Sequence, residues 1–118
     1  MKTWITIGAV SGFLGVAIGA FGAHSLKTYI LPGLLENYHT GVLYHLLHAV
    51  IITAIGFAGK TEYSKAALFF TMGIILFSFS LYTYSITGIK ELAIITPFGG
   101  VSFLTGWILI IVNSLRKS

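Results

Sequence analysis

Tyr44, His45 and His48 are the residues of this 118-residue chain best equipped for chemistry, because they interrupt an otherwise apolar run that ends near Ala58. Tyr44 and His48 stand four apart and His45 and His48 three apart, which sets them on nearly one face of a helix. Two imidazoles at that spacing, joined by His24, form a ligand set for zinc or copper or the core of a proton relay. Ser80, Tyr82 and Thr96 are the other polar groups that can converge at the same level. The competing reading is structural: a neutral imidazole bonded to a tyrosine, serine or carbonyl of a neighbouring helix ties the helices together and needs no substrate. That reading is preferred here. The chain has no cysteine and its methionines are Met1 and Met72, so a soft metal site lacks its usual donors. No apolar run contains a carboxylate. A metal or other cofactor is therefore not expected. No nucleophile with a base and an orienting group, no glycine-rich nucleotide loop and no carboxylate pair is present, so the chain reads as non-enzymatic.

What must position these residues is a set of membrane helices. The chain is 56% hydrophobic and 8% charged, whereas soluble domains carry about 25% charged residues. The fold class is all-α: a polytopic membrane protein, one domain over residues 1–118, built as a four-helix transmembrane bundle with a short interfacial segment between helices 1 and 2. The spans are residues 4–24, 38–57, 65–87 and 97–115. An apolar run of about 19 residues near the start exceeds the 7–15 residues of a signal-peptide core, so it is kept as the first helix. Residues 27–37, with Pro32-Gly33 as a turn signal, form the interfacial segment. Ser64 or Thr61 is a candidate cap of the third span. Thr96 is expected to cap the fourth, with Pro97 at its first position, where a missing amide costs nothing. Residues 92–95 then lie at the interface or extend the helix beyond a kink. Tyr82 and Tyr84 read as an interfacial aromatic belt. Counted from the outer face, His48 lies about 15 Å deep at 1.5 Å per residue.

The first span carries glycine at Gly8, Gly12, Gly15, Gly19 and Gly22, in alternating steps of four and three that keep them on one seam. In lipid such a bare stripe lets two backbones approach closely. The expectation is that this span is the central, buried helix. Its seam becomes the slot for polar residues of the second and third spans, ending at His24. A homo-oligomer interface is the other use of such a stripe. Gly99-Gly100 after Pro97 reads as close packing of a first helical turn, or as amides offered to an anion.

Lys2, Lys60, Lys65, Arg116 and Lys117 fall on one side of this topology and Lys27 and Lys90 on the other, which predicts both termini to be cytoplasmic in a cell membrane. Glu36 and Glu91 are then outside and Glu62 inside. The basic residues form no stripe, so nucleic acid is not an expected partner.

Several strings carry a resemblance: Gly19-Ala20-Phe21-Gly22-Ala23-His24, Thr40-Gly41-Val42-Leu43-Tyr44 followed by His48-Ala49, Leu76-Phe77-Ser78 with Ser80-Leu81-Tyr82, Ile95-Thr96-Pro97 with Gly99-Gly100, and Gly106-Trp107. In that order the chain resembles the YgdD/YwdK-like family of small four-helix membrane proteins of unknown function, relatives of eukaryotic transmembrane protein 256. The resemblance implies fold and location but no activity. His24 and His48 fall within the matching strings. His45 and Leu47 depart from the family's pattern, where glutamine and tyrosine stand. The expected role is a structural membrane component that contacts the lipid bilayer, and through it a specific lipid or another membrane protein. The alternative is a subunit of an oligomeric small-solute or ion transporter or channel. The missing acid in residues 5–23 counts against a proton-coupled cation exchanger. A third reading, a metal or redox site on His24 and His48, requires a bound metal or haem.

Overall fold

The computed structural model describes residues 2–25 and 27–116, and among them every regular element is helical. Helix α1 runs Lys2–Ala23 and α2 Leu35–Ala58. A third rod joins a 3₁₀ turn, Thr61–Tyr63, to α3, Ser64–Gly73, a π-helical segment, Ile74–Ser78, and α4, Phe79–Thr87. Helix α5 spans Lys90–Leu115. These make four rods among the described residues long and apolar enough to cross a membrane.

The rods pack largely in chain order: α1 on α2, α2 on the third rod, and the third rod on α5. The result is a slab of 52 × 25 × 17 Å. Small residues decide the neighbours. Added methyl groups at Gly8, Gly15 and Gly22 would strike Thr53, Leu46 and Tyr38 of α2, and Gly12 and Gly19 face Ala49 and Val42. On the other side of α2, Gly41 makes room for Tyr82. The third rod and α5 interlock reciprocally, Phe103 resting on Gly73 and Phe70 on Gly106. Phe70, Ala66, Ala67, Ile74, Ile52 and Phe103 form the main apolar core.

Helix α1 is therefore the edge of the molecule, not its centre. Its whole glycine seam serves one neighbour, while Phe13, Val16 and Phe21 are exposed on its remaining surface. In its most apolar stretch 17% is buried, against 50% in the third rod. A periodic small-residue face specifies that a helix packs, not how many helices it packs against.

Two boundaries differ from expectation. Thr96 and Pro97 lie inside α5, which begins about two turns earlier, at Lys90 after Ile89. Proline there removes one backbone donor, a defect membrane helices tolerate when packed neighbours supply partners. Thr96 accordingly bonds across to Ser80 and caps nothing. The third rod enters through the 3₁₀ turn, and its N-cap position, Tyr63, has no side-chain cap. The segment between α1 and α2 is an ordered turn docked on the end of α4: Ile30 is buried, the Leu31 N–H donates to the Ser85 carbonyl at 2.9 Å, and Gly33 takes the left-handed conformation at φ 83°.

Candidate functional site

For a neutral imidazole, the geometry of His45 fixes which nitrogen carries the hydrogen. Its Nε2 lies 2.8 Å from the Ser11 carbonyl of α1, and a carbonyl only accepts, so Nε2 carries the hydrogen. The other nitrogen, Nδ1, then accepts the Tyr82 O–H at 2.8 Å. His48 has the opposite tautomer. Its Nδ1 donates to the Tyr44 carbonyl at 2.7 Å, and its Nε2 accepts the Trp107 indole N–H at 3.1 Å. Its ring is stacked on Phe103, with centroids 3.8 Å apart and planes 13° apart. Both imidazoles are neutral in this arrangement, and both ring nitrogens of each are already bonded.

The two histidines serve different neighbours. His45 joins α1 to α4 through α2, whereas His48 joins α2 to α5. They do not share a ligand position, and among the described residues no group of three His, Asp or Glu side chains is placed to hold a metal ion. His24 is exposed in the turn after α1, where its backbone N–H bonds to Ala20 and Phe21. It does not join the cluster.

The remaining sequence candidates do find one another. Ser80 donates to the Phe77 carbonyl at 2.9 Å, so at the 2.6 Å contact with Thr96 it is Thr96 that donates. Tyr82 is buried beneath His45, Phe79 and Tyr38, which removes it from any aromatic belt. Tyr44 lies between Phe77 and His48 and lines a lateral groove between α2 and α5 of about 510 Å³, walled by Pro97, Phe103 and Trp107. The five seam glycines all face α2 and lie outside the cluster, apart from Gly15, which abuts His45.

Several residues have no counterpart among the sequence candidates. Trp107 is the donor to His48; an indole N–H inside a membrane must find an acceptor, and that is the signal that could have placed it. Tyr38 is buried and donates to the Ile18 carbonyl at 2.5 Å, closing the seam of α1 at its far end. The Ser78 hydroxyl, at the end of the π segment, is buried beside the Tyr82 phenol without forming a well-shaped hydrogen bond. Ser102 donates to the Phe69 carbonyl at 2.6 Å, tying α5 to α3. Apart from the Ser78 hydroxyl, the buried polar side chains are hydrogen-bonded, several of them across helix boundaries. This is the arrangement by which membrane helices are held in register.

Comparison with known proteins bears on the same points. A family model described as a protein of unknown function, DUF423, matches residues 18–100. The UPF0382 membrane protein YwdK of Bacillus subtilis (strain 168) is 41% identical over 121 residues, covering 98% of each chain. The UPF0382 membrane protein SAB0533 of Staphylococcus aureus (strain bovine RF122 / ET3-1) is 38% identical over 119 residues, again covering 98% of both. The UPF0382 inner membrane protein YgdD of Escherichia coli (strain K12) is 38% identical over 112 residues, or 92% of this chain and 86% of that protein. No solved structure matches.

Proposed function

Because this chain belongs to the DUF423 family of membrane proteins of unknown function, we propose that it is a non-catalytic structural component of the membrane that works by contact with a lipid or a second membrane protein. The observation that supports this reading is the saturation of its two buried histidines. His45 and His48 each have both ring nitrogens engaged by hydrogen bonds, which leaves neither a free base nor a ligand atom. The functional surface is therefore on the outside of the slab. Each rod packs chiefly on its neighbours in the chain, so the four rods of one copy do not close around a channel, and conduction would require several copies.

The orientation belongs to the same proposal. Lys2, Lys60, Lys65 and Arg116 lie at the end of the slab that holds the termini, and Lys27 and Lys90 at the other. Lys117, counted with the first group, lies outside the described residues. This excess supports an orientation with both termini in the cytoplasm.

The test is photo-cross-linking in native membranes followed by purification with bound lipid. The expected result is one recurrent lipid class or protein partner. A monomer carrying lipid in bulk proportions overturns the reading.

A further inference from the structure

We infer that the groove between α2 and α5 is a binding site for one aminophospholipid, with its ammonium at Glu36 and one acyl chain reaching His48. This rests on the lipid-contact reading above and names the lipid. The groove has two sections that meet at Phe77, which lines both. One section, about 300 Å³, is bounded on α2 by Glu36, Asn37 and Thr40. The other, about 510 Å³, is aromatic and aliphatic, with Tyr44, His48 and Trp107 on its walls. Each volume falls in the range of small-molecule sites, roughly 300–1,000 Å³.

The order of these groups matches the order of groups in a phospholipid. Along one face of α2 come a carboxylate (Glu36), an amide and a hydroxyl (Asn37, Thr40), and then an apolar stretch (Tyr44, Leu47, His48). Glu36 to His48 is 12 residues, about 18 Å of helix. That is close to the half-thickness of a bilayer with its headgroups, roughly 20 Å. Among the described residues the Glu36, Asn37 and Thr40 side chains make no hydrogen bond, although the polar groups deeper in the molecule, apart from Ser78, are paired. Asn37 and Thr40 offer donors to phosphate or ester oxygens. The first turn of α2 adds amides, since its N-cap, Leu34, has no side-chain cap, and a helix N-terminus favours phosphate.

Charge selects the headgroup. The Glu36 carboxylate attracts an ammonium lying beyond the phosphate and repels a headgroup that is only anionic. A primary ammonium also donates hydrogen bonds, which a trimethylated one cannot. Leu47, Val101 and Leu104, which line the apolar section, are exposed apolar residues within the membrane-spanning helices, so an occupant entering there comes from the bilayer.

The test is a lipid titration of the purified full-length protein in detergent, followed by native mass spectrometry. The probes are dioleoyl phosphatidylethanolamine, phosphatidylcholine and phosphatidylglycerol. The expected preference for phosphatidylethanolamine over phosphatidylglycerol is about tenfold, the scale of a hydrogen bond to a charged group. Glu36→Gln should abolish that preference. Val101→Trp, at an exposed position lining the apolar section, should weaken all three lipids while leaving their order unchanged. Phe13→Trp, on the exposed face of α1, is the control and should change nothing. Circular dichroism confirms that each variant is helical. Equal binding of the three lipids, a preference for another headgroup, or an unchanged preference in Glu36→Gln overturns the inference. If that happens while cross-linking still recovers a protein partner, the structural-component reading survives and only the lipid assignment fails.

Discussion

His45 and His48 show how a residue can be legible in type and depth but not in partner. Their burial in the membrane and their polarity can be read from position alone. Their acceptors and donors cannot, because Trp107 is 59 residues from His48 and Tyr82 is 37 from His45. The closeness of Ser80 to Thr96 is legible as convergence, whereas the loss of His24 from the cluster follows from α1 ending at Ala23, just before it. Substitutions at two residues test these contacts. Tyr82→Phe removes the donor to His45 and should lower stability by about 0.6–1.7 kcal/mol, the measured scale for interhelical hydrogen bonds in membranes. His48→Phe should keep the stacking on Phe103 and lose only the hydrogen bonds of the imidazole, while His48→Ala opens a cavity and should cost about 3 kcal/mol. Thermal unfolding in detergent reads both. If His48→Phe falls as far as His48→Ala, ring stacking is not what His48 contributes.

At the level of elements, the glycine seam is readable because a four-three repeat on an apolar run has one geometric meaning. Its role as an edge is not, since the number of neighbours depends on what the other helices offer. Pro97 illustrates a local signal overridden by its surroundings: a Thr-Pro pair reads as a helix start, yet the residues from Lys90 onward already form the helix and Thr96 is held by Ser80. The π segment leaves no mark at all, because one added residue per turn changes neither composition nor hydropathy. Gly15→Leu should destabilise the α1–α2 pair far more than Val16→Leu. The first position abuts Leu46, with its Cδ2 2.7 Å from an added Cβ, and the second is exposed. Within the seam, Gly8→Ala meets the Thr53 backbone nitrogen at 2.6 Å and should cost about 1–3 kcal/mol. Gly12→Ala meets only Ala49 Cβ at 4.0 Å and should be nearly silent. Equal melting shifts for those two glycines would contradict the helix pairing described here.

For the whole molecule, membrane class and rod number follow from composition and run length, while the flat packing order does not. Orientation is open to a direct measurement because the chain has no cysteine. Ser114→Cys should be shielded from an impermeant maleimide in intact cells and Tyr29→Cys labelled; the reverse pattern would invert the topology. The sequential packing of the slab also bears on biogenesis. Each rod's chief partner is the one made just before or just after it, so the first helical hairpin can zip together before the third rod leaves the ribosome, and assembly proceeds like a folding rule from one end. The pair Gly12→Cys and Ala49→Cys is placed to report that moment, since a Cβ at position 12 lies 4.0 Å from the Ala49 Cβ, a separation that suits a disulfide. Ribosome-arrested chains carrying only the first two rods in the membrane are expected to form the 12–49 bond as readily as the finished protein. A bond that appears only after α5 has emerged would mean the hairpin waits for the complete bundle.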